Sequence, residues 1–145
     1  MRQFVVDASV VIKWYLPEEH ADEAGTLLSP DCELCAPDLL FAEVGNILWK
    51  RAVKKELSAD KAHSIMEALQ AVPLTIWEHR LLADAALTVA CRTGRSYYDS
   101  LYVALALTVD RPLVTADRKL HHALVGVPQL GKRLVWVGDL AAEEL

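Results

Sequence analysis

Residues 4–12 read Phe-Val-Val-Asp-Ala-Ser-Val-Val-Ile, so that one acidic residue stands between two apolar runs. The first three residues are typical of a buried β-strand, and the apolar residues of 10–16 predict a helix that ends before Pro17. Asp7 then lies at the carboxyl end of a strand. In open parallel sheets, ligands bind beyond the carboxyl ends of the strands, so Asp7 is a candidate functional residue.

The same succession of strand and helix repeats along the chain. After a first strand at 2–6, strands are predicted at 33–36, 74–77, 112–115 and 134–137. Helices are predicted at 18–28, from 37 and 38 onward, and at 58–70, 79–92, 98–109 and 117–124. Because strands and helices alternate, the sequence predicts an α/β fold in which helices flank a parallel β-sheet, a three-layer α/β/α sandwich.

The chain has the size and composition of one globular domain. It has 145 residues, of which 53% are hydrophobic, and no linker or internal repeat divides it. We therefore predict a single domain over residues 1–145. The longest apolar run, 101–107, is far shorter than the about 20 residues that span a bilayer, so no membrane association is expected.

Cysteine content and the N-terminal sequence bear on the cellular compartment. The chain has three cysteines, an odd number, which favours reduced thiols over a disulfide framework. Asp7 and Lys13 interrupt the N-terminal apolar run, which is not the pattern of a secretory signal. Both observations predict a cytoplasmic protein.

The balance of charges is acidic. Fifteen basic and twenty acidic residues give a net charge of -5, the wrong sign for binding nucleic acid through bulk electrostatics. The objection weakens if several acids hold divalent cations, because bound ions reverse the local field. Basic residues near the candidate site would then contact phosphates; the candidates are Lys13, Arg92, Arg95, Arg118 and Lys119.

Four acidic residues occupy positions from which they can converge. Asp7 and Asp117 each follow a predicted strand, Glu43 lies one turn inside the long helix, and Asp99 lies in the first turn of another. Each alone has an ordinary explanation, as a helix cap or as a solvated surface charge. The residues around Glu43 and Asp99 are too apolar for open solvent, and a charge in such surroundings normally has a partner or a metal.

Four segments of the chain together resemble the PIN-domain family. They are VVDASVV at 5–11, APDLLFAEVGN at 36–46, YYDSLYVALA at 97–106 and VTADRKL at 114–120. They span most of the chain in the family's order, and each contains one of the four acids. The likeness is nearest to the toxin of VapBC-type toxin–antitoxin pairs. The resemblance implies a PIN-like fold.

The same resemblance implies a metal-dependent endoribonuclease. Asp7, Glu43, Asp99 and Asp117 would be its catalytic residues and would hold Mg²⁺ or Mn²⁺, hard cations that prefer oxygen ligands. Asp7 and Asp99 are the better candidates for direct ligands, whereas Glu43 and Asp117 would bind directly or through water. The family further implies a small cognate antitoxin, and an exposed apolar surface near Trp49 would serve that partner or a homodimer.

Three further polar residues lie close to these acids. Ser9 and Thr115 each stand two residues from an acid at a strand end, where a hydroxyl orients the carboxylate or contacts a phosphate. The alternatives are a helix cap for Ser9 and a strand-end turn for Thr115. Asn46, one turn after Glu43, would orient that carboxylate or contact a phosphate.

Two functions of other classes are also compatible with parts of the sequence. An aspartyl-phosphate phosphatase of the haloacid dehalogenase type also begins with an acid after its first strand. It requires a second Asp where this chain has Ser9, and a Lys where Thr115 and Ala116 stand, so it is disfavoured. A non-catalytic module that keeps the PIN fold for protein binding is the other alternative, and metal-dependent RNA cleavage separates it from a nuclease.

Overall fold

The apolar runs of the sequence form the strands of one sheet. The computed structural model describes residues 1–140, which contain β1 (Arg2–Val6), β2 (Cys32–Pro37), β3 (Leu74–Trp77), β4 (Leu113–Thr115) and β5 (Leu134–Trp136). The strands pair in parallel in the order β3-β2-β1-β4-β5. β1 is therefore central and covered on both faces, which explains why its residues are apolar at consecutive positions.

Helices cover both faces of this sheet. They are α1 (Ala8–Val11), α2 (Ala21–Gly25), α3 (Leu39–Val53), α4 (Ala59–Ala71), α5 (His79–Thr93), α6 (Tyr97–Val109) and α7 (Arg118–Leu124). Phe4 and Val6 pack into a core shared with the helices from α1 to α4, whereas Val5 packs into a second core with α5, α6 and α7. The predicted three-layer α/β/α fold is confirmed. Among residues 1–140, each helix is too short or too polar to cross a lipid bilayer.

The ends of the helices follow from their capping residues. The side chain of Ser58 accepts a hydrogen bond from the amide of Lys61 and so caps α4, which begins at the next residue, Ala59. Gly94 ends α5 in the left-handed conformation, with φ of 74°. Asp7 and Asp117 cap α1 and α7 in the same way as Ser58 caps α4. The predicted helices at 58–70, 79–92, 98–109 and 117–124 are confirmed to within one or two residues.

The predicted helix at 18–28 is wrong in its first part. Lys13 donates to a carboxylate oxygen of Glu18 at 3.3 Å and to the backbone carbonyl of Glu19 at 2.6 Å, which fixes this segment as a turn. His20 then adopts a left-handed conformation, with φ of 65°, and a helix can begin only after it, at Ala21. Residues 141–145 of the predicted single domain lie outside the described residues.

The order of the strands determines where a ligand can bind. The chain runs outward from β1 to β2 and β3, then returns to place β4 on the other side of β1. A cleft opens at such a reversal, beyond the carboxyl ends of the two strands that flank it. Val6 of β1 pairs with Val114 of β4, so Asp7 and the residues after Thr115 lie on either side of this cleft.

Candidate active site

The four predicted acids line one open cavity of about 520 Å³ beyond the carboxyl ends of β1 and β4. Asp7 follows β1, Glu43 lies on α3, Asp99 lies on α6, and Asp117 caps α7. Ser9 and Asn46 line the same cavity. The structure thus brings together residues that are more than a hundred positions apart in the sequence.

Asp7 is buried, with 5% of its surface exposed, and both of its carboxylate oxygens accept hydrogen bonds. Oδ1 accepts from the Ser9 hydroxyl at 2.6 Å and from the Val10 amide at 3.2 Å, and Oδ2 accepts from the Thr115 hydroxyl at 2.5 Å. The pKa of Asp7 is raised to about 6: burial is the main cause, the three hydrogen bonds lower the pKa in part, and the nearby charge of Asp117 adds to the rise.

Ser9 and Thr115 join Asp7 to the turn that carries Asp117. The Ser9 hydroxyl accepts from the amide of Ala116 at 2.9 Å, and the Thr115 hydroxyl accepts from the amide of Asp117 at 3.1 Å. Both hydroxyls therefore donate to Asp7 and at the same time hold the backbone next to Asp117. The structure shows both hydroxyls orienting Asp7, and contact of either one with a phosphate stays a prediction.

Glu43 is held by a residue that the sequence did not single out. The hydroxyl of Tyr102 donates to Oε1 of Glu43 at 2.6 Å, and Tyr102 is buried. Burial raises the pKa of Glu43, and the charges of Asp99 and Asp117 raise it further. Tyr102 lies three positions after Asp99 and so on the same face of α6, a spacing that could have revealed it.

Asp99 and Asp117 each have one occupied oxygen. Oδ2 of Asp99 pairs with the guanidinium of Arg95 at 3.1 Å. Oδ1 of Asp117 accepts from the amides of Lys119 at 2.9 Å and Leu120 at 3.2 Å. The second oxygens of both residues, together with Oε2 of Glu43, make no hydrogen bond within residues 1–140 and stand available to a ligand.

Several predicted contacts differ in the structure. Asn46 lines the cavity, but within residues 1–140 Tyr102 and not Asn46 binds Glu43. The Asn46 amide is therefore not the group that orients the Glu43 carboxylate, and a phosphate contact by Asn46 stays a prediction. Lys13 is engaged by the turn before α2, and Arg92 lines a separate cavity between α5 and α6.

Comparison with known proteins assigns the chain and its fold to a family. Residues 4–124 match the PIN domain family. The chain belongs to the PIN-domain family. Over 120 residues, this PIN domain is 36% identical to Ribonuclease VapC3 of Pyrobaculum aerophilum, with 81% of this chain and 92% of the relative covered. Over 95 residues it is 38% identical to Ribonuclease VapC1 of Mycobacterium tuberculosis, covering 64% and 68% of the two chains.

Solved structures give the same fold. A crystal structure from Pyrobaculum aerophilum aligns with a TM-score of 0.74 and 25% identity, covering 98% of this PIN domain and 88% of that chain. A toxin–antitoxin complex from Klebsiella pneumoniae aligns with a TM-score of 0.63 and 17% identity, covering 90% and 94%, which is a likeness of fold alone. The family resemblance predicted from the sequence is confirmed.

The chemistry of the cavity fits a hard divalent cation. Four carboxylates supply oxygen donors, and their mutual repulsion contributes to the raised pKa values of Asp7 and Glu43. As the side chains stand, no three His, Cys, Asp or Glu side chains of residues 1–140 form a group that could hold a metal ion. Like charges without a counter-ion separate, so the helix-borne acids would have to turn inward on binding.

Proposed function

We propose that this PIN domain is a Mg²⁺- or Mn²⁺-dependent endoribonuclease that hydrolyses phosphodiester bonds of RNA. The observation that carries the proposal is the convergence of four carboxylates from four elements in one cavity at the point where the strand order reverses. The two relatives named as ribonucleases support RNA as the substrate.

In this proposal, the four acids hold the cation. Asp7 and Asp99 would bind it directly, and Glu43 and Asp117 would bind it directly or through water. When bound, the ion supplies a water of lowered pKa as nucleophile and shields the charge that grows on the phosphate. Mg²⁺ held by few carboxylates retains several waters, which suits an open cavity of this kind.

The other residues of the cavity orient these acids. The hydroxyls of Ser9 and Thr115 fix both oxygens of Asp7, so this carboxylate is in position before a ligand arrives. The Tyr102 hydroxyl fixes one oxygen of Glu43, and burial together with the Glu43 charge raises the pKa of Tyr102, so that it remains a hydrogen-bond donor well above neutral pH. Asn46 is available to contact a phosphate.

Cleavage of a labelled RNA by purified protein tests the proposal. We expect cleavage with Mg²⁺ or Mn²⁺, none with a chelator, and none from Asp7→Asn. Asp84→Asn, an exposed aspartate on α5 outside the cavity, should cleave like the wild type. Mn²⁺ at a hundred times its dissociation constant should also stabilise the folded state by about 2.7 kcal/mol and so raise the melting temperature. Absence of cleavage with unchanged melting would leave a non-catalytic binding module as the better description.

We further propose that this nuclease is the toxin of a toxin–antitoxin pair in the cytoplasm. One structural neighbour is described as a toxin–antitoxin complex. On α3, Trp49 and Val53 are 59% and 62% exposed, an apolar surface suited to a small antitoxin or to a second copy of the chain. A small protein that co-purifies from the native host and inhibits RNA cleavage would support this role. Failure to recover one would remove the antitoxin from the proposal and leave the nuclease.

A further inference from the structure

Trp136, at the carboxyl end of β5, is the centre of a cluster outside the acid-lined cavity. The guanidinium carbon of Arg118 lies 4.9 Å from the centroid of its ring. The ring centroids of His121 and His20 lie 5.7 Å and 5.9 Å from that of Trp136. A cation thus covers the aromatic face while two further rings border it.

The backbone around Trp136 holds this ring in place. His20 reaches it from a left-handed conformation, with φ of 65°, which is strained for a residue with a side chain. A Cβ atom added to Gly138 would lie 2.8 Å from Nε1 of Trp136 and 2.9 Å from Cε1 of His20. Both rings therefore lie directly against the backbone of Gly138, and the indole has little freedom to turn.

The cluster adjoins the candidate active site. Trp136 pairs with Thr115 across β4 and β5, which brings their backbones to about the 4.8 Å spacing of neighbouring strands. Arg118 follows Asp117 in the sequence. A cavity of about 220 Å³ opens here, lined by Arg118, His121, His122, Trp136 and Asp139. Cavities that hold drug-sized ligands have volumes of about 300–1,000 Å³. This smaller cavity is suited to one planar group.

We propose that Trp136 and Arg118 form a stacking site for one nucleobase of the RNA substrate, beside the phosphate that is cleaved. The inference rests on the proposed ribonuclease function and adds a specificity-determining site to it. Single-stranded RNA is recognised through bases that stack on aromatic rings and on guanidinium planes, and both surfaces are present here.

Arg118 is available for this contact. Its ion pair with Glu19 has a distance of 3.7 Å, and the two side chains are 62% and 72% exposed, so solvent screens the pair. The guanidinium can therefore leave Glu19 at little cost and stack on a base while it remains over the Trp136 ring. Lys119, the next residue, carries the same charge, and no ring contact with Trp136 is found for it within residues 1–140.

The test compares a short RNA with a copy that lacks the base beside the cleaved phosphate. We expect Trp136→Ala to raise KM for the intact RNA about tenfold and to leave KM for the abasic RNA unchanged, because the stacking partner is already missing. Trp136→Phe should restore most of the loss. Arg118→Ala should act in the same direction without disturbing the fold. Lys119→Ala should raise KM equally for both RNAs, since it removes charge alone.

Equal effects of Trp136→Ala and Arg118→Ala on the two RNAs would overturn the proposal, and so would no effect. Failure of the nuclease function itself is recognised separately through fluorescence anisotropy of the same RNAs in the Asp7→Asn background. If the intact RNA binds more tightly than the abasic RNA and Trp136→Ala abolishes this difference, the stacking site is supported even when the wild type cleaves nothing. Binding that is absent, or that does not depend on the base, overturns it.

Discussion

The acids at the strand ends and the acids on the helices are held in different ways. Asp7 is buried and has hydrogen bonds on both oxygens, and Asp117 is tied to the same network through the Thr115 hydroxyl. Glu43 and Asp99 each have one partner, a tyrosine hydroxyl and an arginine. The strand-end acids are held by hydroxyls and amides from one network, whereas the helix acids are held by single side chains from two separate contacts; one oxygen each of Asp117, Glu43 and Asp99 is still open within residues 1–140.

This difference indicates how the site would assemble. A carboxylate whose partners are hydroxyls and amides keeps its orientation when a cation arrives. Asp99, which is paired with Arg95, has to exchange that partner for the cation, whereas Glu43 is bonded by a hydroxyl on one oxygen only. We therefore expect Asp7 to determine whether chemistry occurs and Asp99 to determine how readily the cation binds, with the contribution of Glu43 between the two.

The largest effect should come from Asp7→Asn. We expect it to lower kcat/KM for RNA about a thousandfold, since a bound ion contributes several kcal/mol and each 1.36 kcal/mol is tenfold in rate. Glu43→Gln should have a smaller effect, up to about a hundredfold. Initial rates at saturating Mn²⁺ measure both. Equal losses would contradict the division between the two sides of the cavity.

The next effect concerns the stability of the metal-free protein. Because the pKa of Asp7 is raised from 3.8 to about 6, the folded state binds its proton more tightly than the unfolded state. The contribution of Asp7 to the free energy of unfolding should be complete below about pH 4 and should be lost, about 3 kcal/mol in all, as pH rises through about 6. Urea unfolding at a series of pH values measures this slope, which Asp7→Asn should remove. If the slope is unchanged in that variant, the pH dependence of the free energy of unfolding comes from other groups.

Removing a hydroxyl from the strand-end network should have an intermediate effect. Thr115→Val keeps the shape of the side chain but deletes its hydrogen bonds with Asp7 and with the amide of Asp117. We expect activity or metal affinity to fall about 10- to 100-fold. Thr108→Val is the matched control, because among residues 1–140 its hydroxyl bonds the Ala104 carbonyl on α6, at 2.8 Å, and no group of the cavity. If the two variants behave alike, the network does not orient the site.

The smallest effect should come from Arg95→Gln on the helix side. Nε of Arg95 is buried without a hydrogen-bond partner within residues 1–140, so its pairing with Asp99 is imperfect. Without the arginine, Asp99 is open to the cation, and we expect the half-saturating Mn²⁺ concentration to fall about two- to fivefold. Arg111→Gln is the control, since Arg111 pairs with Glu33 and is 23% exposed against 25% for Arg95. A rise in the Mn²⁺ requirement would show that Arg95 assists the site.

The sequence by itself determined the alternation of strands and helices, and it identified the four acids as candidate functional residues. Consecutive apolar residues in β1 follow from burial on two faces, and the caps at Ser58 and Gly94 follow from local hydrogen bonding and backbone preference. These features depend on neighbours in the chain, so they can be predicted from short segments. The start of the helix in segment 18–28 could not be predicted in this way, because the hydrogen bonds of the Lys13 side chain hold residues 18 and 19 in a turn.

Only the tertiary structure decided which groups hold each acid. Tyr102 rather than Asn46 binds Glu43, because the packing of α6 against the sheet brings a residue 59 positions away within 2.6 Å. The hydroxyls of Ser9 and Thr115 meet at Asp7 because β1 and β4 are neighbours, and Trp136 adjoins them because β5 comes next. Contacts of this kind depend on the order of strands in the sheet, which the local pattern of a sequence does not contain.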